Sequence, residues 1–262
     1  MRKSFVEPEI IEQELASTVA ECGDIDYITF SGSGEPTLSL DLGRLIHFAK
    51  SLDAAPVCVL TNGTMLSEPE VRKELASADL AVPNLDAADE ETFHKVNRTH
   101  KDIAFDSYIA GLKDFSTEFA GNLHLEIMLV EGINDDTTHL QKLSDLVEQI
   151  APDGVWVGTV TRPSAEKFAR PVSQEKLEEA KRIIGEKARI IEKYDRGPIP
   201  VHHEDIINKV EQLLRRRPEK AESIAESLGA NPHEIIKAIS FLVSESRVKK
   251  RRMGNEIYYE IM

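Results

Sequence analysis

Up to about residue 190 this chain alternates short β-rich runs with amphipathic helical stretches, and that alternation restricts its fold more than any other feature. Pro8–Glu21 predicts a helix, because Ile10, Ile11, Leu15 and Val19 recur at helical spacing. Tyr27–Ser31 follows as a strand and Asp41–Leu52 as a helix. Further strands are expected at Val57–Leu60, Leu80–Asn84, His124–Val130 and Val155–Val160. Helices are expected over Glu68–Ala76, Asp89–Val96, Phe105–Glu118, Thr137–Gln149 and from Ser173 to about Glu186. Strands joined by helices of this length pair in parallel through right-handed crossovers. Five such units predict most of a barrel or a doubly wound sheet. Each glycine-rich or polar break falls at the carboxyl end of a strand, the edge at which α/β folds bind ligands. Any single βα loop needs polar turn residues anyway, so the placement informs only when all the loops are taken together.

A composition boundary lies near residue 200. Arg196-Gly197-Pro198-Ile199-Pro200 reads as a linker, which divides the chain into 1–190, a connection at 191–202, and 203–262. The net charge of −14 excludes the whole chain as a nucleic-acid binder, because neutralising phosphates needs a basic surface. From Val201 onward 11 basic and 10 acidic residues give +1, which leaves −15 on the rest. In this last part Glu204–Arg216 and Lys220–Leu228 read as helices, the second closed by Gly229. Asn231 and Pro232 then start a third helix, His233–Val243. Arg247–Arg252 and Glu256–Ile261 around Gly254-Asn255 read as a hairpin. Helices followed by a hairpin look like a winged helix-turn-helix, with Lys249-Lys250-Arg251-Arg252 on its wing. His202 and His203 are adjacent, point different ways on most backbones, and read as linker residues.

The most specific string is Thr29-Phe30-Ser31-Gly32-Ser33-Gly34-Glu35-Pro36-Thr37-Leu38. Its glycine spacing alone is that of an ordinary strand-to-helix turn. The whole string resembles the Gly-Gly-Glu-Pro element of radical S-adenosylmethionine (SAM) enzymes. Thr61-Asn62-Gly63-Thr64, Leu85-Asp86-Ala87 with Asn97-Arg98, and Glu126-Ile127-Met128-Leu129-Val130 running into Gly132-Ile133-Asn134-Asp135 are similar to later elements of that superfamily, in its order. The likeness covers roughly residues 5 to 185. It is greatest to a prokaryotic group with a C-terminal winged helix.

This resemblance implies a partial (βα)5–6 parallel-strand barrel lacking its first strand, followed by the small winged domain. It implies SAM as cofactor, with Gly32, Ser33, Gly34 and Glu35 at its amino group, chiefly through backbone groups. Thr61 and Asn62 would lie beside the methionyl part, Asp86 and Glu126 at the ribose or at polar groups of a substrate, and the backbone of Val157–Thr159 beside the adenine. Arg162 and Asn134 are substrate candidates. The implied reaction is reductive cleavage of SAM by a [4Fe–4S] cluster, giving a 5′-deoxyadenosyl radical that abstracts a substrate hydrogen. Simpler readings stand beside these roles. Asp86 and Asn62 also suit helix caps, and Arg162 before Pro163 suits a surface ion pair. Glu126 alternates with Ile127 and Leu129, so it faces away from them, into a barrel lumen.

The cysteines do not match. A cluster needs four thiolates, or three plus the SAM itself. This chain has Cys22 and Cys58, far apart and without any CxxC or CxxxC spacing, so no metal ligand set is expected. Each reads as a structural residue, and a disulfide between them has no positive support. In the family a strand and the cysteine loop precede the first helix, which here begins near Pro8. Three accounts stay open: a start assigned too late or a truncated sequence, a segment carried on a separate polypeptide, or a cluster-free relative.

The expectation is therefore a radical SAM protein that cannot assemble the cluster as written, its standing as an enzyme left open. The alternative is a cluster-free ligand-sensing regulator, or a protein-interaction module working through the winged helix. That helix is the expected contact for protein, peptide or weak nucleic-acid partners. An aldolase or isomerase barrel is disfavoured because no lysine lies at an expected strand end. No apolar run approaches the roughly 20 residues that cross a bilayer, and no signal-peptide core follows Met1. No membrane contact and a cytoplasmic location are the corresponding expectations.

Overall fold

The computed structural model describes residues 2–32, 34–160, 169–191, 203–253 and 256–262. The chain divides into two compact units, Met1–Ile191 and Glu192–Met262, each treated by itself.

The first unit runs α1 (Pro8–Glu21), β1 (Ile28–Phe30), a 3-10 turn (Pro36–Leu38), α2 (Leu42–Ser51), β2 (Val57–Thr61), α3 (Pro69–Leu75) and β3 (Leu80–Pro83). It continues with α4 (Glu90–Asn97), α5 (Phe105–Glu118), β4 (Asn122–Leu129), α6 (Thr137–Ile150), β5 (Gly154–Thr159), α7 (Gln174–Ile184) and β6 (Ala188–Ile190). Among the described residues the six strands form one parallel sheet in the order β1-β2-β3-β4-β5-β6. Each strand thus lies beside its chain neighbour, with no reversal of direction across the sheet. That order selects the barrel type over the doubly wound one, because right-handed crossovers without a switch point put all the helices on one face.

Strand alternation divides the apolar residues accordingly. Val57, Val59, Ala81, Leu125, Ile127, Leu129, Val155 and Val157 face the helices and form the main core with Ile46, Leu75, Leu112, Leu140 and Ala180. The residues between them point to the other, inner face, where Cys58, Leu80 and Val82 make a small separate cluster with Leu60 and Trp156. Phe93 stacks on Tyr108 at 4.6 Å between ring centroids, and both are buried. Such a pair adds about 1 kcal/mol beyond its buried area. Gly111 of α5 crosses the chain at Leu66–Ser67 so closely that a Cβ there would lie 2.4 Å from the Ser67 nitrogen.

Most of the expected elements recur with ends shifted by one or two residues. β6 was not among the expected strands, because it is three residues long and carries the exposed Arg189. Asp89, Asp136 and Ser173 cap α4, α6 and α7 by accepting the backbone N–H of Thr92, His139 and Lys176. Among the described residues β1 pairs on one side only, with β2.

In the second unit α8 (His203–Arg216), α9 (Ala221–Leu228) and α10 (Pro232–Ser244) precede an antiparallel pair, β7 (Val248–Met253) and β8 (Glu256–Ile261). Its core joins Ile206, Val210, Leu214, Ile224, Ile235, Ile239, Leu242 and Val248. Gly229 closes α9 in the left-handed region at φ +57°. His203 begins α8; His202 and Gly254-Asn255 lie outside the described residues. Among the described residues no helix is long and apolar enough to cross a membrane.

Candidate functional site

The rim begins where β1 ends. Gly32 turns the chain at φ +55°, a conformation that favours glycine. Ser33 lies outside the described residues. A Cβ built on Gly34 would meet nothing within 4 Å among the described residues, so the loop faces open space there with respect to them. Glu35 does not face that space with a free carboxylate. Its Oε1 accepts from the Thr37 N–H at 3.1 Å, the Thr37 hydroxyl at 2.6 Å and the Thr61 hydroxyl at 2.5 Å. Its Oε2 accepts from the Asn62 N–H at 2.7 Å. Four donors match the roughly four lone-pair sites of a carboxylate. Glu35 is therefore a clamp that fastens the loop after β1 to the end of β2. Asn62 folds its own Oδ1 onto the Thr64 N–H and hydroxyl, in an Asx turn.

At the end of β3, Asp86 is buried and cross-links to β4. Its Oδ1 accepts from the Met128 N–H and its Oδ2 from Asn97 Nδ2, both at 2.7 Å. Burial pushes its carboxyl up to about 7, while the Met128, Asn97 and Asn84 hydrogen bonds pull down and the charge of Glu126 pushes up. The Oδ1 of Asn97 is buried without a hydrogen-bond partner among the described residues. Asn134 is wholly buried. Its Nδ2 donates to the carbonyls of Asp86 (2.7 Å) and Met128 (2.9 Å), and its Oδ1 accepts from the Val130 N–H (2.7 Å). It ties the loop after β4 to the end of β3, and no polar atom is left for a substrate. The helix-cap reading of Asp86 also gives way, since the cap of α4 is Asp89.

Glu126 lies on the inner face, as its alternation with Ile127 and Leu129 requires. Burial holds its carboxyl above the usual range, and it makes no hydrogen bond or ion pair with any described residue. Its row neighbours are Asn84, just past the end of β3, and Trp156 on β5. His124, one row earlier, meets Trp156 edge-on at 5.0 Å and 84°, with a buried Nδ1 that has no partner. Thr159 donates to the Leu129 carbonyl (2.8 Å) and accepts from the Val172 N–H (2.9 Å). Arg162 lies outside the described residues.

Gly32, Gly34, Glu35, Thr61 and Asn62 thus meet at one end of the rim, and Asp86, Asn134 and Glu126 at the next. Trp156 and His124 were not among the expected residues, and Asn97 was noted only as part of a motif, without a site role. The alternation that aimed Glu126 inward, applied to Val155 and Val157, aims Trp156 inward beside it.

Cys58 is buried, with its thiol pushed up to about 11 by burial, and Cys22 is exposed at the end of α1; both are free. Among the described residues no group of three or more His, Cys, Asp or Glu is placed to hold a metal ion.

Residues 2–143 match the Radical SAM superfamily. The chain is 33% identical over 255 residues to a Brachyspira hyodysenteriae protein named GTPase Obg, covering 95% of this chain but only 37% of that one. It is 24% identical to a UPF0026 protein of Methanocaldococcus jannaschii, over 98% of this chain and 82% of the relative. A Helicobacter pylori UPF0026 protein is 28% identical over 90% of this chain and 75% of its own length. The fold resembles a domain of a pyruvate-formate lyase-activating enzyme from Bacteroides vulgatus, with TM-score 0.51 and 19% identity, over 64% of this chain and 100% of that one. It also resembles a radical SAM methyltransferase from Sphaerobacter thermophilus, with TM-score 0.52 and 17% identity, over 70% and 55% of the two chains. With a match across more than half its length, and the parallel sheet and glycine-turn rim in place, the chain belongs to the radical SAM superfamily.

Proposed function

We propose that this chain binds SAM across the carboxyl ends of β1 to β4, as the SAM-holding part of a radical SAM enzyme. The observation that carries this reading is the Glu35 clamp. By binding Thr37, Thr61 and Asn62 it holds the two loops in register and leaves open space over Gly34. Backbone groups around Gly32 and Gly34 then serve the amino-acid end of SAM, with the Asn62 side chain beside it. Asp86 and Asn134 act as positioning residues that fix the ends of β3 and β4. In this superfamily a [4Fe–4S] cluster supplies the electron for SAM cleavage. The residues present do not fit one, since an exposed and a buried cysteine cannot complete its ligand set, so no step of that chemistry is assigned to them.

Equilibrium dialysis of labelled SAM tests the reading. Saturable binding is expected, weakened at least about tenfold in Glu35→Ala, whose unpaired backbone and hydroxyl donors no longer fix the loops. Gly34→Val is the companion variant: its side chain enters open space, so folding is kept while the cradle fills. Absence of SAM binding, or equal binding by Gly34→Val, refutes the proposal.

A second role is favoured for residues 203–262, read as a winged helix. Lys249 and Arg251 pair with Glu260, whereas Lys250 and Arg252 have no acidic partner among the described residues, and α10 exposes Ile236 and Phe241. An acidic, partly apolar peptide matches such a surface better than duplex DNA does. Anisotropy with a labelled duplex at low salt is expected to show no binding; a tight, steeply salt-dependent complex would overturn this.

A further inference from the structure

We propose that the inner face of the sheet beside Glu126 is a substrate pocket for a planar cation, such as an amidinium or guanidinium group, laid on Trp156 and paired with the Glu126 carboxylate. The inference rests on the rim being the SAM site and names the substrate class for the chamber next to it.

The register brings the two groups together. Glu126 and Trp156 are direct neighbours on β4 and β5, so their side chains leave the same face one strand spacing apart, about 4.8 Å. Leu60, Leu80, Val82 and Cys58 give that face an apolar floor on the β2–β3 side. Against it stands the half-buried Glu126 carboxylate, with no donor or cation to compensate it among the described residues. A buried charge in that condition is costly unless something pairs with it. Its acidic neighbour Asp86 supplies no positive charge, so the partner that would compensate the carboxylate is a cation.

Among the described residues the surrounding side chains do not fill that role. Arg189, in the same row on β6, turns back to donate to the carbonyls of Glu186 and Ala188. His124 is held toward its neutral form by burial, so it adds no positive charge while its ring abuts the indole. Gly154, its neighbour on β5, leaves the space the imidazole occupies, since a Cβ there would lie 3.1–3.3 Å from the ring. Trp156 is half-buried, and an indole is the aromatic that attracts a cation most strongly. A flat, delocalised cation satisfies both groups at once. Its N–H fork meets the carboxylate in a charge-assisted pair and its plane stacks on the ring. An anion would be repelled, and a neutral ring would leave the carboxylate uncompensated.

Trp156 is the only tryptophan in the sequence, so its fluorescence reads this pocket alone. The test titrates the full chain with benzamidine, and with benzamide as its uncharged isostere. Saturable quenching by benzamidine is expected, with benzamide weaker by at least about tenfold, the difference a charge-assisted pair makes. Glu126→Gln should weaken benzamidine by a similar factor without lowering the thermal transition, since it removes an uncompensated carboxylate. Trp156→Leu, followed by calorimetry, should weaken it about threefold or more. Absence of a saturable response, an equal response to benzamide, or unchanged affinity in Glu126→Gln overturns the proposal. So does competitive displacement of benzamidine by SAM, which would give the pair to the cofactor. SAM dialysis on the same preparation separates the two readings: SAM bound without a benzamidine response sinks the pocket alone, and the converse sinks the cofactor reading alone.

Discussion

Replacing Asp86 with Asn should make the first unit more stable at neutral pH and less sensitive to pH. The carboxyl is raised from 3.8 to about 7, chiefly by burial. The folded state therefore holds this proton between those values while the unfolded chain has released it. Stability from this group is complete below about pH 4 and is lost as pH rises through about 7. Three units at 1.36 kcal/mol each give an upper bound of about 4 kcal/mol. An amide suits the site. Its oxygen still accepts from the Met128 N–H, and its nitrogen can donate to the Asn97 oxygen, which now lacks a partner, once that amide turns over. The assay is urea unfolding followed by Trp156, which lies in β5 and reports this unit alone, at about pH 5 and about pH 8. The stability difference, Asp86→Asn minus wild type, should grow by up to about 3 kcal/mol between the two, since about two of the three units lie above pH 5. A difference independent of pH, or one that shrinks toward pH 8, refutes the argument that burial of this carboxyl dominates.

Glu35→Gln should cost about 2 kcal/mol in the same assay, because its amide nitrogen replaces one of the two oxygens and so meets either the Asn62 N–H or the Thr37 and Thr61 donors instead of accepting from them. Gly111→Ala should cost about 3 kcal/mol or more, since its Cβ would strike backbone atoms of Leu66 and Ser67; a stability loss under about 1 kcal/mol would mean the crossing yields easily. Iodoacetamide at about pH 8 should label Cys22 in the native protein and spare Cys58, whose thiol is buried and pushed up to about 11. Mass spectrometry should find Cys58 labelled only after unfolding; native labelling of both would contradict the packing of β2.

The parallel sheet was legible because Val57–Leu60, His124–Val130 and their helices obey clean periods. β6 was not, since three residues around an exposed Arg189 carry too little period to separate strand from turn. The motif positions marked the rim, but sequence cannot say whether a polar side chain faces a ligand or the fold. Glu35 and Asn134 both turned inward, where several backbone N–H and carbonyl groups from distant elements needed partners. That demand arises from tertiary approach and leaves no trace in spacing. Trp156 was accessible through alternation, and became informative only when register set it beside Glu126.

Because every strand lies next to the one made just before it, the sheet can grow in the order of synthesis, each new βα unit docking on an edge already present. The clamp from Glu35 closes at Asn62, within the first two strands. The turn at the β1 end of the rim is thus tied down long before the ribosome reaches Trp156. A nascent chain halted between them would already hold the closed clamp and still lack the wall that faces the substrate.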